Sequence, residues 1–105
     1  MTYCHCSDCK RATGAPVAAF AAFSENNVAL IPDEGRRASI VEGVTRTFCP
    51  DCGTPLTGRY EYLPGQVYLA LGVFEDDPRL APQHHSHGEA CFSWLKLDDD
   101  LPRTG

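Results

Sequence analysis

The sequence predicts a mainly β fold of small antiparallel sheets with one short helix. Two observations carry the prediction. Short apolar or alternating runs recur along the chain, separated by turn signals rich in Gly, Pro, Asn and Asp. Only one stretch, Ser7 to Thr13, carries the signals of helical turns. With 105 residues, one domain spanning 1–105 is the expectation, with a core of modest size.

The elements follow in order along the chain. Ser7 is suited to cap the helix and Gly14 to stop it. Residues 16–23 are apolar, with two Phe, and read as a buried strand. Ser24-Glu25-Asn26-Asn27 reads as a turn, 28–31 as a short strand, and Pro32-Asp33-Glu34-Gly35 as its close. Strands are expected at 38–41 and 45–48, on either side of Glu42-Gly43. Residues 49–53 form a knuckle, from which 55–60 lead away as a strand. After the turn signal Leu63-Pro64-Gly65, residues 66–71 alternate as a strand should. An acidic, Pro-containing loop covers 75–82, and 92–97 alternate again before an acidic tail at 97–105.

Composition narrows the function. An apolar fraction of 43% and a charged fraction of 22% are those of a soluble globular chain. The formal net charge of −5 gives no attraction for a polyanion, and Lys10-Arg11 and Arg36-Arg37 are isolated basic pairs, so nucleic acid is not an expected partner. No apolar run approaches the roughly 20 residues that span a bilayer, and the first residues lack the apolar stretch of a signal peptide. A cytoplasmic location and no membrane partner are therefore expected. A reducing compartment also disfavours disulfides among the six cysteines.

Those cysteines are the most informative residues. Cys49-Pro50-Asp51-Cys52-Gly53 is a zinc-knuckle sequence: two thiolates in a tight turn can share one tetrahedral ion, and Gly53 permits the backbone such a turn needs. A redox CxxC would open a helix, which Gly53-Thr54-Pro55 blocks. In Cys4-His5-Cys6-Ser7-Asp8-Cys9, an extended segment points Cys4 and Cys6 the same way, and Cys9 lies one turn on. Three ligands would leave the fourth position of a tetrahedral zinc open, as in a catalytic site. Spacing alone permits a rival, one closed site made by Cys6, Cys9, Cys49 and Cys52. Cys91 reads as a small buried hydrophobe, and His84, His85 and His87 as a polar loop.

The residues Cys4-His5-Cys6-Ser7-Asp8-Cys9-Lys10, Thr13-Gly14-Ala15-Pro16 and 48–57 (FCPDCGTPLT) together resemble one family. It is the glutathione-dependent formaldehyde-activating enzyme family, which includes centromere protein V. The ending at 94–103 (WLKLDDDLPR) and a His nine residues before the Trp, here His85, are similar to that family as well. The resemblance implies a tent-like β fold and a catalytic zinc on Cys4, Cys6 and Cys9. It implies a second, structural zinc on Cys49 and Cys52 together with an upstream CxC that the sequence given does not include. Cys49 and Cys52 are then expected to be half of a site, and an exposed sheet edge to favour a homodimer. The implied activity is carbon–sulfur bond chemistry on a thiol adduct such as S-hydroxymethylglutathione.

These readings lead to an expected mechanism. An open three-thiolate zinc is a soft Lewis acid suited to a substrate thiol such as glutathione. Arg46 and Arg59, flanking the knuckle, are candidates for binding the substrate's carboxylates. Phe48 and Tyr60 are candidates for the pocket wall, and His5, Ser7 and Asp8 are the polar residues nearest the ligands. The alternative function is a non-catalytic interaction module stabilised by the shared four-cysteine zinc.

Overall fold

A computed structural model describes all 105 residues, Met1–Gly105. Seven strands form one sheet: β1 (Thr2–Cys4), β2 (Ala18–Ser24), β3 (Arg36–Ala38), β4 (Val44–Phe48), β5 (Pro55–Tyr60), β6 (Gln66–Ala70) and β7 (His84–Ser86). Their order is β3-β4-β5-β6-β2-β1-β7. Every pairing is antiparallel except β1 with β7, which is parallel. The mainly β expectation holds, and the strands join in a single sheet.

The one α-helix, α1, spans Ser7–Thr13. Gly14 ends it in the left-handed region, at φ 68°, and donates its N–H to Lys10 O. Its start differs from the expectation by one residue. Cys6, not Ser7, is the cap, and its sulfur accepts from the Cys9 N–H at 3.4 Å. A thiol at that place answers one of the helix's unpaired N–H groups as a hydroxyl would.

β2 is rich in alanine because it lies under the cysteines. In the register of β1 and β2, Cys4 faces Ala18. Cys4, Cys9, Ala18 and Phe20 form the buried apolar cluster, with Cys6, Tyr68 and Ala70 against it. A large side chain on β2 at Ala18, which is 2% exposed and faces Cys4, would displace the thiols. Between β4 and β5, Thr47 and Thr57 pair across the ladder and share a buried hydroxyl hydrogen bond of 2.6 Å.

Three expected strands are corrected. Residues 28–31 pair with no strand, and Ile31 points into solvent at 87% exposure. The strand expected at 38–41 sits earlier, at β3, because Ser39 Oγ donates to the carbonyls of Val41 and Val44 and turns the chain there. Residues 92–97 are irregular: Leu95 N donates to Phe92 O, and Phe92 stacks on Trp94 at 5.3 Å. Two strands unforeseen in the sequence, β1 and β7, form the edge that carries the first cysteine cluster.

Gly35 has φ 98°, and a Cβ there would lie 2.6 Å from the carbonyl oxygen of Phe48. Gly35→Ala is therefore expected to destabilise the fold by about 2 kcal/mol, measured by urea unfolding. An unchanged midpoint would contradict the close approach.

Candidate metal centre

Three short elements converge on one point. Cys4 ends β1, Cys6 caps α1, and Cys9 lies in the first turn of α1. Their sulfurs all lie within 4.8 Å of one another, and those of Cys4 and Cys6 are 3.5 Å apart. Tetrahedral zinc–sulfur bonds of about 2.3 Å put ligand sulfurs about 3.8 Å apart. The donor set therefore has the geometry and softness to hold a metal ion, with three ligands supplied by the chain.

The arrangement is electrostatically unequal. The Cys9 thiol is pushed down to about 5, chiefly by its hydrogen bond with Cys4, and further by Cys6 and the Arg46 guanidinium, against burial. Cys4 is raised by the same bond with Cys9 and by burial. Cys6 is raised by burial. Without a cation, the cluster gives up one proton readily and holds the others.

Arg46, on β4, reaches this cluster. Its Nη2 donates to Asp8 Oδ2 at 2.6 Å and to Cys9 Sγ at 3.5 Å. Burial opposes its charge, but the hydrogen bond to Asp8, with Tyr60 and Cys9 nearby, raises its pKa further. Opposite it in the ladder is Gly58, where a Cβ would lie 3.2 Å from Arg46 Nη1 and 3.1 Å from the Tyr60 hydroxyl. The glycine leaves room for the arginine to fold over the sheet toward the thiols. A cavity of about 180 Å³ opens beside the sulfurs, walled by Phe20, Tyr60, Tyr62 and Tyr68 and rimmed by His84 and His87. Tyr60 and Tyr68 meet edge to face at 5.1 Å.

The other expected residues lie elsewhere. Arg59 donates to Glu34 at 2.6 Å and to Glu25 at 2.8 Å, away from the cysteine cavity. Phe48 lines a separate cavity of about 270 Å³ with Arg11, Leu56 and Arg46. Cys49 and Cys52 form the expected knuckle, in which Gly53 has φ 78° and donates its N–H to Cys49 O. Cys52 is exposed and bonded to the Thr54 hydroxyl at 3.0 Å. That pair does not join the first cluster, so the closed site of Cys6, Cys9, Cys49 and Cys52 is not formed. The histidine patch is no loop: His84 to Ser86 are β7, and His85 is fully buried against His5.

The model of one protein family, the glutathione-dependent formaldehyde-activating enzyme, matches residues 1–90. The chain belongs to that family. The match takes in both cysteine clusters, the aromatic wall and β7, and ends before the tail at 91–105. No curated protein matches the chain. No helix is long and apolar enough to cross a membrane.

The sequence marked the candidate ligands and one residue of the cavity wall, Tyr60, but not the contacts that join the rest. The Arg46–Asp8 pair joins positions 38 apart, and Tyr62 and Tyr68 come from either end of a turn. Only the alternation of Tyr60 and Tyr62 hinted at a shared face.

Arg46 and Asp8 are 9% and 15% exposed at their side chains. Arg46→Met leaves Asp8 buried and unpaired, and is expected to lower stability by about 3 kcal/mol. Adding Asp8→Asn should recover much of that in a urea-unfolding double-mutant cycle; simple additivity would contradict the pairing. The pair at Glu34 and Arg59 is more exposed, at 23% and 32%, so its contribution is under about 1 kcal/mol. The Arg59 hydrogen bond holds Glu34 below its ordinary 4.5. A depressed carboxyl stabilises above the unfolded value and loses that stability as pH falls through the folded one. Unfolding measured below pH 4.5 should thus be less acid-sensitive in Arg59→Ala than in the parent.

Proposed function

We propose that the chain is a zinc-dependent carbon–sulfur lyase-type enzyme acting on a thiol adduct such as S-hydroxymethylglutathione. The observation that carries this is the three-sulfur cluster opening onto a cavity, with the family match in support. A zinc held by Cys4, Cys6 and Cys9 would favour the thiolate of a substrate thiol at its fourth position and stabilise that thiolate on departure. In the synthetic direction, the thiolate sulfur adds to the formaldehyde carbon, and the carbonyl oxygen takes up a proton. In reverse, the hydroxymethyl group loses that proton, the carbonyl reforms and the C–S bond breaks.

The chain's own residues serve this chemistry in three ways. Arg46, held by Asp8, donates to Cys9 and so stabilises a thiolate ligand. Its hydrogen bonds to Asp8 and Cys9 support a role beside the sulfurs. Arg59 meets a carboxylate only by giving up Glu34. The aromatic wall of Phe20, Tyr60, Tyr62 and Tyr68 gives the cavity an apolar lining beside the sulfurs, of a size suited to the small reacting group. Burial raises the Tyr60 hydroxyl, which keeps it neutral and able to donate a hydrogen bond.

Two measurements test the reading. Zinc per chain should fall by one equivalent in Cys4→Ser, while Cys49→Ser keeps the first site filled. Loss of all zinc in Cys49→Ser would contradict separate sites. Exchange between glutathione plus formaldehyde and their adduct, followed by NMR, should be accelerated by the parent and by Cys49→Ser. Cys4→Ser should lose at least about a hundredfold of that acceleration. Equal rates for the parent and Cys4→Ser would rule out chemistry at this centre.

A further inference from the structure

Behind the cysteines, on the side away from the cavity, lies a buried chain of polar side chains. His5 and His85 are both 0% exposed. His5 Nε2 and His85 Nδ1 are 2.8 Å apart. His85 Nε2 is 3.0 Å and 3.2 Å from the two carboxyl oxygens of Asp99. Tyr3 stacks on the His85 ring at 4.8 Å.

The direction of the chain follows from its end. The hydrogen bond from His85 holds the Asp99 carboxyl below its ordinary range, so Asp99 only accepts. His85 Nε2 therefore donates, and its Nδ1 accepts from His5 Nε2–H when the imidazoles are neutral. This leaves His5 Nδ1 as a bare, buried nitrogen without a partner. The His5 ring is thus hydrogen-bonded at one atom only, and that atom leads to the tail.

The backbone reinforces the same crossing. His5 N donates to Ser86 O, His85 N to Pro102 O, and Thr104 N to His85 O. Asp99 is itself fixed by the Leu101 N–H at 3.0 Å. The tail, which lies beyond the family match, therefore reaches the residue between two of the candidate ligands. Side chains alternate along an extended segment, so fixing the His5 ring fixes where the sulfurs of Cys4 and Cys6 point.

We propose that Asp99–His85–His5 is a positioning device through which the C-terminal tail sets the geometry and affinity of the metal centre. This rests on the reading that Cys4, Cys6 and Cys9 bind zinc. The device places no group on the substrate, and its members act through the Cys4–His5–Cys6 backbone.

The test uses the full chain, with zinc affinity measured by competition with a chromophoric chelator and geometry read from the cobalt-substituted spectrum. Asp99→Ala should weaken zinc by about tenfold or more and shift the cobalt ligand-field bands. Asp99→Asn, which keeps an acceptor oxygen without the charge, should weaken zinc by only about threefold. If Asp99→Ala does not fold, Asp99→Asn decides, and an affinity equal to the parent's overturns the proposal. Lower thermal stability with unchanged zinc affinity and cobalt bands would mean that the chain merely holds the tail, and would overturn it too. Failure of the parent to bind zinc would instead overturn the metal reading on which it rests.

Discussion

Three thiols crowded into a partly buried cluster impose the constraint around which this fold is arranged. Two thiolates about 4 Å apart repel by about 4 kcal/mol at an effective dielectric of 20. Three such pairs would cancel a small domain's stability. Arg46 is one cation and, of the three thiols, donates only to Cys9. It accounts for a single ionised sulfur, which is the state the metal-free cluster favours. A divalent ion is what allows all three to ionise. The core is small and Cys4 and Cys9 are part of it, so a metal bound there would be coupled to folding.

The rest of the molecule keeps those sulfurs together. β2 contributes alanines beneath them, α1 turns Cys9 back over Cys6, and β4 sends Arg46 across through the gap left at Gly58. β7 and the tail close the far side through His85. The cavity opens on the remaining side and is lined by aromatic rings. A site built this way has a buried back, a charged flank and an open front, an arrangement suited to a ligand that arrives and leaves.

Local chemistry was legible in the sequence wherever local residues decide the structure. The helix at Ser7–Thr13 and the strand at Pro55–Tyr60 lie where their flanking signals put them. The ligand spacing of Cys4, Cys6 and Cys9 needed only the period of a strand and the first turn of a helix. Features set by distant neighbours were not legible. Residues 28–31 look like a strand but find no partner, whereas His84–Ser86 look like a loop and become a strand because β1 lies alongside. The link from His5 to His85 spans 80 positions, and no local pattern announces it. Arg46 and Arg59 look alike in sequence, yet Gly58 and Asp8 draw one to the thiols while Glu25 and Glu34 hold the other away.

The central claim is that Cys4, Cys6 and Cys9 hold a metal with one position left for a substrate thiol. X-ray absorption at the zinc edge tests it most directly, on protein carrying Cys49→Ser and Cys52→Ser so that only the first cluster contributes. The account predicts three sulfurs and one lighter ligand in the absence of thiol, becoming four sulfurs when glutathione is added. Four sulfurs from the outset, or a shell that glutathione leaves unchanged, would contradict it.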